Sequence, residues 1–252
     1  MKVISLINLK GGVGKTISSI NIACILASKG NSVLIIDNDK QGNTSKFFNV
    51  HDYDEPGISE VLTIKDFDIE RVIKNTKYSG LDVIQANMTL LRANKEVLMD
   101  VSRPQQTRLK RALKKIEYKY DYCVIDNAPD INMSIINALV ASDDVLVPIK
   151  VDKFAFDGLE QLTEQIEEVK EFNEHLQFKG CFITMFRKNK VNMQGAEWIR
   201  NNGNYPMFKT IIRNTVKVDE TTFTGQSLQE YAKNSTAAKD YLSLVNEYLE
   251  CD

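Results

Sequence analysis

Residues 10–16 (KGGVGKT) put three glycines, two lysines and a hydroxyl into seven positions. An apolar, strand-like run (residues 3–7, VISLI) precedes them, and a helix-like run (residues 20–26, INIACIL) follows. A glycine-rich turn between a strand and a helix aims several backbone N–H groups at one spot, and the helix N-terminus adds partial positive charge there. That spot suits nucleotide phosphates. Gly11, Gly12, Val13 and Gly14 supply the cradle, Lys15 reaches the β and γ phosphates, and the Thr16 hydroxyl ligates Mg²⁺. An ordinary glycine turn with solvated lysines leaves the three glycines, Lys15 and Thr16 unexplained as a set.

Two acids complete this chemistry. Residues 32–37 (SVLIID) and 121–126 (DYCVID) are apolar runs that end in aspartate, as buried parallel strands do. Asp126 at such a strand end is suited to hold Mg²⁺, through water, opposite Thr16. Asp37 and Asp39 follow the second strand, and their plainer reading is a helix or turn cap.

These residues need elements to carry them. The dominant rhythm is strand, then helix. Strands are predicted at residues 2–7, 32–37, 81–86, 121–126, 144–149, 178–185 and 207–212. Helices are predicted at 15–29, 106–119, 132–142, 157–173, 191–202 and 235–250. Parallel strands joined by helices make a doubly wound α/β sheet, mostly parallel and flanked by helices, with ligands at the C-terminal strand edge. Residues 51–77 are less regular and read as a peripheral helical excursion from a single domain spanning 1–252.

Composition narrows the class. A length of 252 residues, 43% hydrophobic and 26% charged, fits one large soluble α/β domain. No signal peptide is evident, and no apolar stretch approaches the roughly 20 residues that cross a bilayer. Cys24, Cys123, Cys181 and Cys251 lie far apart and read as free thiols in a reducing cytoplasm. His51 and His175 are the only histidines, which argues against a histidine-based metal site. The net charge of −2 means that any DNA contact must come from a local patch or one assembled by dimerisation.

The general phosphate-loop pattern is G-x-x-x-x-G-K-[ST]. Here Leu9 stands at the first glycine position, and a second lysine, Lys10, precedes the double glycine. This K-G-G-x-G-K-T arrangement resembles the deviant Walker A motif of the ParA/MinD superfamily of ATPases. Residues 33–45 (VLIIDNDKQGNTS) resemble the segment after strand two of ParA proteins, and residues 120–149 resemble their Y-D-x-x-x-I-D-x-x-P region and the helix and strand beyond it. Residues 80–87 (GLDVIQAN) and 211–220 (IIRNTVKVDE) are similar as well. The likeness to ParA-type (Soj-like) partition ATPases covers most of the chain and is weakest at residues 50–78.

The resemblance implies ATP and Mg²⁺ as cofactors and an ATP-sandwich homodimer in which Lys10 reaches the partner's nucleotide. It implies that Asp39 positions or activates the attacking water and that Asp37 lies near the metal. It puts the base pocket near Thr184, Met185, Ile212, Arg213 and Asn214, with Ile17 beside the α-phosphate. It further implies a ParB-type adaptor that stimulates hydrolysis, and a cytoplasmic, nucleoid-associated protein without the N-terminal helix-turn-helix extension of larger plasmid members. Non-specific DNA binding would use basic residues late in the chain, for which Arg187, Lys188, Lys190 and Lys217 are candidates, with Lys209 and Arg213 nearby. A second basic run between Arg108 and Lys119 reads mainly as a solvated helix face.

The chain departs from the family at several positions. Lys40 replaces the usual proline, which predicts a more mobile switch, Ile17 replaces a threonine, and Asn127-Ala128-Pro129-Asp130 replaces Cys-Pro-Pro-Ser/Gly. Among rivals, a MinD-like or cargo-positioning ATPase shares the nucleotide chemistry. The acidic C-terminus, residues 241–252, lacks the basic face that would draw it to anionic lipid, so no membrane partner is expected. Tyr231, Tyr241 and Tyr248 are spaced as a helix core rather than as an autokinase cluster.

Overall fold

This computed structural model describes residues 1–152, 158–202 and 205–250. The elements run β1 (Lys2–Leu6), α1 (Lys15–Ser28), β2 (Val33–Asn38), α2 (Asn43–Phe47), α3 (Ile58–Thr63), β3 (Ile73–Asn75), β4 (Leu81–Ile84), α4 (Thr89–Met99) and α5 (Arg108–Lys114). They continue β5 (Tyr122–Asn127), α6 (Met133–Ala141), β6 (Asp144–Lys150), α7 (Leu159–Val169), β7 (Gln177–Phe186), α8 (Lys190–Asn202), β8 (Met207–Arg213), α9 (Val216–Thr224), α10 (Leu228–Tyr231) and α11 (Thr236–Glu250).

The eight strands form one sheet in the order β3-β4-β2-β5-β1-β6-β7-β8. All neighbours are parallel except the β3–β4 pair. Alternate strand residues face opposite ways. Val33 and Ile35 therefore join α1 and α11 in one core, while Leu34 and Ile36 join α3, α4 and α5 in another. A third core holds β6 and β7 against α6, α7 and α8. With both faces covered, the strands are continuous apolar runs, and this is why they were legible.

The closing helix α11 spends its apolar face on the first core through Tyr241, Leu244, Val245 and Tyr248. Tyr248 Oη donates to Asp144 Oδ2 at 2.6 Å, and Glu247 accepts from the backbone N–H groups of Lys209 and Thr210 on edge strand β8. No helix among the described residues is long and apolar enough to cross a membrane. Cys24, Cys123 and Cys181 are buried free thiols, and Cys251 lies outside the described residues.

Several expectations need correction. Residues 51–77 are helical only in part: they end in β3, which extends the sheet as an antiparallel edge. The helix expected over 106–119 is regular only from Arg108 to Lys114. Beyond it, Lys115, Ile116 and Lys119 donate three residues back, so the chain tightens into turns. The helix expected from 157 runs from Leu159 to Val169, and Asp157 lies outside the described residues. Helices α4 and α9 were not anticipated. α9 is rich in β-branched residues, but the Thr215 side chain accepts from Lys217 N–H at its start, and Gly225, with φ 61°, closes it.

Candidate functional site

The C-terminal ends of β1, β2, β5 and β6 converge on the loop before α1. That loop needs its glycines. Gly12 and Gly14 have φ of 70° and 86°, a left-handed backbone that side chains resist. Nothing lies within 4 Å of a Cβ added at Gly11 or Gly12, so the cradle is open above the loop. Helix α1 begins with no side-chain cap and no acid in its first turn. Its first N–H groups are thus left for an anion from outside the helix.

Lys15 opens α1 and is 7% exposed. Its Nζ donates to the Lys10 carbonyl at 3.1 Å. Burial holds the ammonium below its ordinary pKa, opposed by the charges of Asp126 and Asp39. A buried cation beside an open N–H cradle is the arrangement that polyphosphate requires. Val13 anchors the loop from below: the Thr184 hydroxyl lies 2.8 Å from its carbonyl and 3.1 Å from that of Ile149.

Asp37 and Asp126 stand opposite each other on paired strands β2 and β5, 0% and 1% exposed. The hydroxyls of Ser19 and Thr44 donate to Asp126 at 3.1 and 2.8 Å, and the Thr16 hydroxyl lies near enough to help them lower its pKa. Burial raises Asp126 to about 6, these hydroxyls pulling the other way. Burial, then the charge of Asp126, raises Asp37 to about 8. A hydroxyl and a strained carboxylate side by side fit a hard cation that takes oxygen ligands. No group of three His, Cys, Asp or Glu residues forms a metal cage among the described residues. A cation here would therefore draw its remaining oxygens from phosphate and water, as Mg²⁺ does.

Asp37 is more occupied than expected. Its Oδ1 accepts from Asp39 N–H, and its Oδ2 accepts from both Ser45 N–H and the Ser45 hydroxyl, at 2.8 and 2.6 Å. Ser45 Oγ in turn accepts from Ala86 N–H at the end of β4. Asp37 thus pins the segment that carries Asp39. Asp39 itself is half-buried and closes a turn, accepting from Gln41 N–H on Oδ1 and from Gly42 N–H on its carbonyl. Gly42 has φ 64°, and a Cβ there would meet His51 at 2.4 Å and the Ala86 carbonyl at 2.7 Å. The segment is therefore tied at both ends by these contacts.

Asn127, at the position of the usual cysteine, stitches three strand ends together. Its Nδ2 donates to Ser5 Oγ and the Leu6 carbonyl, and its Oδ1 accepts from Asn38.

A cavity of about 240 Å³ beside the loop is lined by Gly14, Ile17, Met185, Arg213, Asn214 and Asp219, among others. The residues expected at a base pocket are thus neighbours. Met185 has φ 52°, and the Arg213 guanidinium is committed to Asp240 at 2.6 Å. Its contribution to the cavity is backbone and stem rather than charge. Arg187, Lys188 and Lys190 lie exposed where β7 turns into α8, and Arg187 also borders the cavity. Lys217 is on α9, ion-paired with Glu220 at 2.7 Å. Lys10 turns to Asp152, 2.6 Å away.

Sequence reasoning missed Ser19, Thr44 and Asp152, and the contact of Thr184 with the Val13 carbonyl. Thr44 falls within the family-like residues 33–45, and Ser19 lies one helical turn after Lys15; the other two carry no local signal.

The comparisons agree with this geometry. A family model described as an AAA domain matches residues 1–178. The sporulation initiation inhibitor protein Soj of Bacillus subtilis is 35% identical over 248 residues, covering 98% of this chain and 97% of Soj. Cobyrinic acid a,c-diamide synthase from Mycobacterium smegmatis, solved with an ATP analogue and magnesium, superposes with TM-score 0.85 at 26% identity, covering 99% and 95% of the two chains. A putative plasmid partition protein from Borrelia burgdorferi, solved with AMPPNP, gives TM-score 0.82 at 27% identity, covering 100% and 99%. The chain belongs to the Soj/ParA family of P-loop ATPases.

The buried carboxylate carries a testable cost. A folded-state acid pKa raised above its unfolded value of 3.8 drains stability as pH climbs from that value to the folded one, about 6, and the loss is complete above it. Asp126→Asn removes the loss, because the Ser19 and Thr44 hydroxyls can rotate to suit an amide. Without nucleotide, Asp126→Asn should melt several degrees above the parent at about pH 8, with the gain shrinking towards about pH 4. The same variant should lose the thermal stabilisation that Mg²⁺-ATP gives the parent. A melting point at or below the parent's at the alkaline end would contradict this account of Asp126.

Proposed function

We propose that this protein is a ParA-type, Mg²⁺-dependent ATPase that couples ATP binding to dimerisation and DNA binding in the segregation of a plasmid or chromosome. The observation that carries the reading is the junction of an uncapped α1 N-terminus, a buried Lys15 and the buried Asp126 carboxylate near Thr16.

In this reading the phosphates lie on the N–H groups of Gly11, Gly12, Val13 and Gly14, with Lys15 against the β and γ phosphates. Thr16 and Asp126 would hold Mg²⁺, which would supply positive charge opposite the phosphoryl oxygens. Asp37 serves the metal at one remove, through the segment it pins. Asp39 orients the attacking water. Lys10 enters the partner's site and compensates phosphate charge from across the dimer, as an arginine finger does. The base occupies the cavity between Ile17, Met185 and Asn214.

DNA binding rests on Arg187, Lys188 and Lys190, duplicated by the two-fold dimer. Phosphate contacts of this kind are salt-sensitive and independent of sequence. Lys217 adds less, because Glu220 already neutralises it. A ParB-type adaptor would stimulate hydrolysis and release the dimer from the nucleoid.

Two variants separate binding from turnover. Lys15→Ala should abolish ATP-dependent dimerisation and lower hydrolysis by about a hundredfold or more; sedimentation that still shows an ATP dimer would remove this account of the loop. Asp39→Ala should keep the ATP dimer on DNA while hydrolysis falls about 10²-fold or more. Normal turnover in Asp39→Ala would assign the water to another group.

A further inference from the structure

Lys10 does not hang free over the phosphate cradle. Its Nζ donates to both carboxylate oxygens of Asp152, at 2.6 and 2.7 Å. The main chain beside it is tied to the same strand end: Lys10 N–H donates to Asn8 Oδ1, and Asn8 Nδ2 donates to the Pro148 carbonyl, each at 2.8 Å. Leu9 rests on Gly158 at the start of α7, where an added Cβ would stand 3.4 Å from Leu9 Cβ. The residue before Asp152, Val151, packs closely against α8: a Cβ added at Gly195 would come within 2.5 Å of Val151 Cγ1.

We propose that Asp152 is a positioning residue that stores Lys10 within its own subunit, so that the ATP dimer forms only by exchanging this carboxylate for the partner's nucleotide phosphate. The inference rests on reading Lys10 as the residue that crosses the dimer interface. One ammonium cannot serve both anions: bound to Asp152, Lys10 is withheld from the partner. Both members of the pair are 31% exposed, so water competes for them and the store is a bias rather than a lock. An ion pair of this exposure shifts an equilibrium about threefold, and two open in each dimer, giving about tenfold overall.

The test uses the full chain with Mg²⁺-ATP and reads ATPase activity per subunit against protein concentration. A sedimentation measurement with a slowly hydrolysed ATP analogue reads the dimer directly. Asp152→Asn keeps the shape and removes the charge. It should lower the protein concentration for half-maximal activity about tenfold, leave activity at saturating concentration within about twofold, and leave the nucleotide-free melting point in place. Asp152→Glu should move the curve back towards the parent. An unchanged or weakened dimer in Asp152→Asn would overturn the proposal.

A double-mutant cycle with Lys10→Ala separates this inference from the reading beneath it. If Lys10→Ala dimerises and turns over like the parent, the crossing role of Lys10 fails. If Lys10→Ala is defective but Asp152→Asn still tightens the dimer in that background, the storage role fails while the crossing role stands. The proposal expects Asp152→Asn to have no effect once Lys10 is gone.

Discussion

Two carboxylates buried side by side constrain the rest of this molecule. Asp37 and Asp126 are register partners at the ends of adjacent strands, and neither is open to water. Burying like charges is costly unless something compensates them. The compensation is visible residue by residue: Lys15 from α1, the hydroxyls of Ser19 and Thr44 on Asp126, and Ser45 on Asp37. It is incomplete, and both acids remain raised. A fold that keeps such a site gives up stability for a place where a divalent cation and phosphate are bound strongly.

The parallel sheet is what makes this pairing possible. It brings the ends of β1, β2, β5 and β6 to one edge, where Asn127 and Asn38 stitch them together. From that edge three segments leave: the glycine loop, the turn that carries Asp39, and the connection that carries Asp152. Each is tied back by side chains of its neighbours, Thr184 to Val13, Asp37 to Ser45, and Asp152 to Lys10. The turn is coupled to both acids, since Thr44 and Ser45 donate to Asp126 and Asp37 from consecutive positions.

Much of this was legible in the sequence because its signals are local. The glycines, Lys15, Thr16 and the acids that end β2 and β5 sit in patterns whose physics needs only a few neighbouring residues. What escaped the reading depends on distant partners. Thr184 meets Val13 across 171 positions, and Lys10 meets Asp152 across 142. No local pattern marks either contact. Helix α9 escaped because its β-branched residues argue against a helix, while its two caps decide for one. Strand β3 escaped because two half-exposed residues and one exposed residue at a sheet edge carry little apolar pattern. Lys217 was legible as a charge but not as a neutralised one, since Glu220 meets it only on the folded helix.

The central claim is that ATP, by building a dimer, builds a DNA-binding surface from two modest basic clusters. The most direct measurement is binding of the purified protein to random-sequence duplex DNA with Mg²⁺-ATP, with Mg²⁺-ADP and without nucleotide, across a salt series. The account predicts binding with ATP alone, falling steeply as salt rises. Equal binding in all three states, or no binding in any, would contradict it.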